Sequence, residues 1–478
     1  MSPNDSNHPT AAERFIARNI FTRRDFLNRC GMGFGAMSLA GLMGSGYFGG
    51  SDALAAAAGI NPLSPKAPPL PGKAKRVIHI FAQGAPSQVD TWDPKPELTK
   101  NDGKSVANMG GVAMGSPFQF TKMGRSGIEV SEVFPKLGAH VDNMAVIRSM
   151  YTDIPAHEVA AVMMNTGSLR LAKPSMGSWL LYGLGTENQN MPGYISLRPG
   201  GMPPGGSQNW QSAFLPGVYQ GASINTQVAT VEQMIQNIKS QYTSLGEQRR
   251  QLDLVNQFNQ IHSARLQKDA QLEARLAAYE MAFKMQTEAS DAFDITKETE
   301  ATRTAYGNTA QGKQLLLARR LVERGVRFVQ VWAGGWDHHE DLATRLRAKA
   351  AEIDQPAAAL LADLKQRGML DSTLVIWGGE FGRKPTRDRN GGASPGRDHN
   401  SRSFVAWMAG GGVKGGTTYG SSDEFGGQAV DNKVHVHDLH ATVLRLAGFD
   451  HEKLTYRYNG RDFRLTDVAG KVVTPIIA

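Results

Sequence analysis

Polar and apolar positions alternate in two distinct rhythms along this chain. Continuous apolar runs of six to eight residues, RVIHIFA (76–82), NMAVIRSM (143–150), VRFVQVW (326–332), STLVIW (372–377) and SFVAWMA (403–409), read as buried strands. Between them, HEVAAVMMNTG (157–167), residues 341–367 and VHDLHATVLRLAGF (436–449) carry the helical period. In the last of these Asp438 is the expected N-cap and Gly448 the stop. Alternating β and α segments with apolar strands predict an α/β fold: a mostly parallel sheet with helices on both faces. Residues 183–224, rich in Gly, Pro, Asn and Ser, read as mostly loop. From about 226 to 325 the pattern turns helical, with Val231, Met234, Ile235 and Ile238 at i, i+3, i+4 and i+7. That stretch is expected to be a helical insertion.

Ahead of the first strand, residues 56–75 are a Pro-rich linker, and TRRDFLNRCG (22–31) precedes a Gly-rich, moderately apolar run. Arg23 and Arg24 before Phe26 and Leu27, followed by Ala-Leu-Ala at 53–55, read as a twin-arginine signal cleaved near Ala55. The glycines make the run a poor membrane span, so no stable anchor is expected after cleavage. The partners implied are the twin-arginine translocase and signal peptidase, and the destination is the periplasm or the extracellular space. Cys30, the single cysteine, lies inside this signal. The mature chain is therefore expected to contain neither disulfides nor a thiolate ligand or nucleophile. The net charge of +8 comes from 52 basic and 44 acidic residues without a long basic run. It suits an anionic substrate and does not point to nucleic acid.

In parallel sheets, ligands bind beyond the carboxyl ends of strands. At those exits the sequence places Asp90, then His157, then Asp337 with His338 and His339, then Glu380 with Arg383, and finally Arg397, Asp398 and His399. Carboxylates and imidazoles without thiolates suit a divalent ion, Zn²⁺, Mn²⁺, Mg²⁺ or Ca²⁺. Asp90, Asp337, His339, Glu380 and His399 are the expected ligands. Arg383 and Arg397 are expected to clamp an oxyanion. Taken singly, each has a plainer reading as a solvated turn residue or a local ion pair, and convergence is what favours a site. His435, His437 and His440 are read as a strand end and helix face, not as ligands.

GAPSQVDTWDPKP, IRSM, GNTAQGKQLLLARRLVERGVRFVQVWAGGWDHH, GGEFGRKP, GRDHN and HDLHATVLRLAGFD occur in this order. Together they resemble the domain-of-unknown-function 1501 family, over about residues 76–465, with 466–478 as a tail. The resemblance implies a sulfatase-like, alkaline-phosphatase-like fold and metal-assisted hydrolysis of sulfate or phosphate esters. Asp337 and His339 resemble that superfamily's metal pair, and Glu380 stands where relatives carry Asp-His, followed here by Phe381. His157 falls on the position of the sulfatase nucleophile, and Ser149 and Thr152 are nearby hydroxyls. Without a cysteine in the mature chain, a Cys-derived formylglycine is excluded. His157 is therefore expected to act as catalytic group or ligand. The alternative is a non-catalytic envelope binding or scaffold protein that keeps the fold.

Overall fold

The computed structural model describes residues 61–106, 110–170, 172–228, 230–234, 243–265 and 291–478 apart from 390–393, with a few positions between 280 and 286. The twin-arginine segment and Cys30 lie outside the described residues.

The strands in chain order are β1 (Arg76–Phe81), β2 (Phe120–Met123), β3 (Ile128–Ser131), β4 (Met144–Tyr151), β5 (Tyr194–Arg198), β6 (Ala222–Asn225), β7 (Phe328–Trp332) and β8 (Thr373–Gly378). After these come β9 (Gly382–Arg387), β10 (Arg397–Asn400), β11 (Phe404–Ala409), β12 (Thr417–Tyr419), β13 (Ser421–Ser422), β14 (Ala429–Asp431), β15 (Val434–His435), β16 (Tyr456–Tyr458) and β17 (Arg461–Phe463). Nine of them form one sheet in the order β12-β4-β11-β8-β1-β7-β5-β6, with β15 also on β4. β1 sits at the centre, parallel to β7 and β8. β11 alone runs antiparallel, between β4 and β8. The sheet is mostly parallel, as the apolar runs predict.

The runs are continuous because both faces are covered. Along β1, Ile78 and Ile80 enter one core with the helices Ala310–Glu323 and Leu342–Gln366. Val77 and Phe81 enter a second core with the helices His157–Thr166, Met176–Leu184 and Val436–Leu446. β7 divides in the same way, Val329 and Val331 against Phe328 and Trp332, as does β8, Val375 and Trp377 against Leu374 and Ile376. The period of two thus sorts each strand's residues between two helical layers.

Three local expectations differ from the structure. Residues 183–224 contain β5 and β6, which are parallel sheet strands. They are short, and the flanking Gly and Pro residues mask them. The end of the stretch expected as an insertion, Ala310–Glu323, packs on β7 and β1 as a crossover helix, while Leu245–Arg265 is a helix upstream of it. Asp438 does not cap its helix. His435 is the N-cap and accepts from the His437 amide at 3.3 Å, while Asp438 at N3 accepts from the His435 amide at 2.8 Å. This reciprocal box satisfies two amide donors that the helix start leaves open.

Candidate metal centre

β1, β4, β7 and β8 run in the same direction, so their carboxyl ends lie along one edge of the sheet, and the separate two-stranded β9–β10 unit brings Arg383 and His399 to the residues there. Close backbone approach is built in. Gly84, just past β1, has φ +106, and a Cβ there would lie 2.7 Å from the Asp337 nitrogen. The next residue, Ala85, is also left-handed at φ 62, a conformation that costs energy for a side chain other than hydrogen. It turns its carbonyl toward Arg383 Nε at 2.9 Å.

Three imidazoles and one carboxylate converge in this space. His399 Nε2 lies 3.0 Å from His157 Nε2 and 3.0 Å from His339 Nε2. Asp337 Oδ1 is 2.9 Å from His339 Nε2 and 3.4 Å from His399 Nε2, and its Oδ2 is 3.4 Å from His157 Nε2. Each ring is fixed from behind. His157 Nδ1 meets Glu380 Oε1 at 2.5 Å, His339 Nδ1 meets Asp388 Oδ2 at 2.5 Å, and His399 Nδ1 meets the Pro155 carbonyl at 3.0 Å. All three partners are acceptors, so the protons are assigned to the Nδ1 atoms and the Nε2 lone pairs point inward. Three lone pairs and a carboxylate at such spacing are arranged as a cation's ligands would be. A four-coordinate ion with bonds of about 2.0–2.1 Å places neighbouring donors roughly 3.3 Å apart, close to these separations. His157, Asp337 and His399 group as candidate ligands, and His339 groups with Asp388 and Asp398.

The electrostatics agree. Burial would raise the Asp337 carboxyl, but bonds to His157 and His399 and the adjacent Arg383 hold it far below the usual carboxylate range. Burial would lower His157, but hydrogen bonds to Asp337 and Glu380 raise it to about 9. Positive charge already reaches the cluster from Arg383, whose Nη2 meets Asp337 Oδ1 at 2.5 Å and whose Nη1 lies 3.4 Å from His339 Nε2; a proton on His157 and a divalent ion are two further sources.

The expected residues separate into those that meet and those that stand behind or elsewhere. Asp337, His339 and His399 meet as expected ligands would, and His157, expected as a catalytic group, joins them as a fourth donor. Glu380 does not reach the cluster. It is fully buried, accepts from the Gly84 amide at 2.9 Å, and holds His157 from behind. Asp90 is also out of place as a ligand: its carboxylate pairs bidentately with Arg397 at 2.6 and 3.0 Å and accepts from Ser87 at 2.5 Å, all in the interior. Arg397 is thereby spent on Asp90 and is no oxyanion clamp. Arg383 is likewise engaged, with Asp337 Oδ1 at 2.5 Å, the Gly84 carbonyl at 2.5 Å and the Arg397 carbonyl at 3.1 Å. It positions Asp337.

His338 turns away into the interior beside Trp336, and burial lowers it to about 4. His435, His437 and His440 are tied to Asp153, the Gly167 carbonyl and the Met164 carbonyl, in keeping with their structural reading. The Ser149 hydroxyl donates to the Asn432 carbonyl at 2.7 Å, whereas the buried Thr152 hydroxyl has no hydrogen-bond partner among the described residues. Asp388 and the Pro155 carbonyl were not foreseen from the sequence. Asp388 directly follows β9 in the basic segment RKPTRD, 49 residues from the ring it holds, and no spacing rule links the two.

A family model described as "Protein of unknown function (DUF1501)" matches residues 74–477. Comparison with curated proteins gives no match. Among solved structures, the chain is similar to the lipoteichoic acid synthase LtaP from Listeria monocytogenes at 9% identity and TM-score 0.36, covering 84% of this chain and 78% of that one. It is similar to the PsFucS1 sulfatase from Pseudoalteromonas sp. at 13% identity and TM-score 0.34, covering 88% and 72%. An alkaline phosphatase from the Antarctic bacterium TAB5 is similar at 11% identity and TM-score 0.30, covering 74% and 96%. Likeness at this level says nothing of activity.

Proposed function

The chain belongs to the family described as protein of unknown function (DUF1501), over residues 74–477, and from the geometry of its site we propose a sulfatase-like, metal-dependent hydrolase of anionic sulfate or phosphate esters. The observation that carries this reading is the convergence of three Nε2 atoms and one carboxylate, each imidazole oriented by its own acceptor. Three imidazoles favour a borderline ion such as Zn²⁺ over Mg²⁺ or Ca²⁺, which prefer all-oxygen shells. Such an ion, when bound, polarises an ester oxygen and lowers the pKa of a coordinated water.

The chain's own residues supply the rest. His157, His339, His399 and Asp337 hold the ion, and Arg383 fixes Asp337 in place. Glu380 and Asp388 keep two of the imidazoles in the tautomer that donates through Nε2. No cysteine lies in the family-matched region, so the attacking group is not a thiol; with His157 held as a ligand, the candidates are water and the hydroxyl of Thr152, which has no hydrogen-bond partner among the described residues. Export by the twin-arginine translocase, with cleavage by signal peptidase, belongs to the same proposal and rests on residues 22–55.

One observation favours the alternative of an envelope binding protein. Arg383 and Arg397, the two cations expected to receive the anion, are both engaged within the protein. Elemental analysis of the purified mature protein tests the metal. One bound ion is expected, lost in Asp337→Asn and His339→Ala. A panel of aryl sulfate and phosphate mono- and diesters then tests the reaction. A metal-free, folded protein overturns the hydrolase reading, and a metal-loaded protein without turnover on any ester leaves the binding protein.

A further inference from the structure

Building on the proposed cation site, we infer that Asp388 is a positioning residue that sets the ligand strength of His339. Asp388 lies at the end of the short β9–β10 unit, outside the main sheet. Its side chain is nearly buried, at 4% exposure, whereas the His339 ring it faces is more open, at 37%. The contact, Nδ1 to Oδ2 at 2.5 Å, is a charge-assisted hydrogen bond. It is too short for an ion to sit between the two atoms, since a metal bound to both would hold them roughly 3 Å apart or more. Asp388 therefore acts through the imidazole and not as a ligand of a second ion.

The backbone holds it there. The Asp388 amide donates to the Gly396 carbonyl at 2.9 Å, and the Arg397 amide donates to the His338 carbonyl at 3.0 Å. Asp388 is thus tied to the start of β10, and that stretch is in turn stitched to the segment that carries His339, through the Arg397 amide and through the Asp341 and Leu342 amides on the Ser394 and Pro395 carbonyls. A Cβ on Gly396 would lie 2.2 Å from the His339 carbonyl carbon, so the two segments are in direct backbone contact. The acid and the ring it serves are fixed to one another.

Two things follow from a carboxylate behind an imidazole. The proton is confined to Nδ1, so Nε2 is free to bind without a tautomer change. The ring also becomes a stronger donor, because negative charge builds behind it. The three rings differ in this respect. Glu380 backs His157 and Asp388 backs His339, while His399 rests on the neutral Pro155 carbonyl. Losing Asp388 would leave the ligand set intact and weaken one member of it.

The test is zinc titration of the chelator-stripped protein by calorimetry, with ¹⁵N shifts of the histidine side chains read on the metal-free protein. Asp388→Asn should bind Zn²⁺ about 10- to 100-fold more weakly, as outer-shell losses do. Asp388→Glu should recover part of that loss. Asp462→Asn should bind as the parent does, since Asp462 pairs with the exposed Arg457 at 3.2 Å, away from the cluster. In the metal-free protein, the Nδ1–H form of His339 should predominate and become mixed in Asp388→Asn. Asp388→Asn binding within twofold of the parent overturns the inference while leaving the cation site standing. So does a stoichiometry of two ions falling to one in that variant, which would make Asp388 a ligand. A parent that binds no Zn²⁺ overturns the cation site itself, while the ¹⁵N shifts still report whether Asp388 holds the ring.

Discussion

Replacing Asp90 with alanine separates a ligand from a structural anion. Asp90 and Arg397 are both fully buried, and their bidentate contact at 2.6 and 3.0 Å is reinforced by Ser87. Removing the carboxylate strands a guanidinium in the interior, which costs about 3–5 kcal/mol. Unfolding entropy near 2.1 cal/mol/K per residue gives roughly 0.85 kcal/mol/K for a folded region of about 400 residues, so Tm should fall by about 4–6 °C. The double variant Asp90→Ala with Arg397→Met removes the stranded charge and should recover much of the loss, because a buried pair exchanged for apolar groups is often near neutral. Calorimetric melts of the three proteins, with zinc stoichiometry measured on the double variant, check this. One ion should remain bound to that variant. If Asp90→Ala melts with the parent, the pair carries no such energy. If the double variant loses its ion while its melt stays normal, Asp90 is a ligand after all and the assignment made from its position is wrong.

Two further outcomes are expected. His79 and His440 are fully interior, and burial lowers them to about 4 and about 3 from 6.5. The unfolded chain takes up protons that the folded one refuses, so stability is complete above about pH 6.5 and drains away as the pH falls toward 4; His79→Leu should flatten the slope of Tm between pH 6.5 and 4.5 relative to the parent, and an identical slope would refute the assignment. Gly84→Ala forces a Cβ to within 2.7 Å of the Asp337 nitrogen at φ +106; it should cost about 1–3 kcal/mol and weaken zinc binding, so an unchanged melt together with unchanged zinc affinity would show the loop to be more adaptable than its geometry implies.

The sheet was legible because its strands are covered on two sides, and only apolar runs survive that. β5 and β6 escaped notice for the converse reason: YISLR and ASIN are too short for a run to emerge from Gly- and Pro-rich surroundings. At the site, strand exits pointed to the right segments but not to the roles within them. Asp337, His339 and His399 meet, whereas Asp90 and Arg397 found each other across 307 residues of sequence. An aspartate at a strand exit looks the same whether it faces an ion or a guanidinium, and the choice is made by tertiary packing. Glu380 and Asp388 show the same limit from the other side, since an acid one hydrogen bond behind a ligand leaves no periodic trace.

His157 and His399 are separated by 242 residues, yet their ring nitrogens stand 3.0 Å apart. No fragment ending short of His399 holds the complete donor set, and none holds it in place before the central strands have closed. On the proposed metal reading, loading would therefore come after folding, in whichever compartment folding finishes. For a chain that crosses a membrane already folded, the choice of ion would be made by the metal pool on the side where it was synthesised.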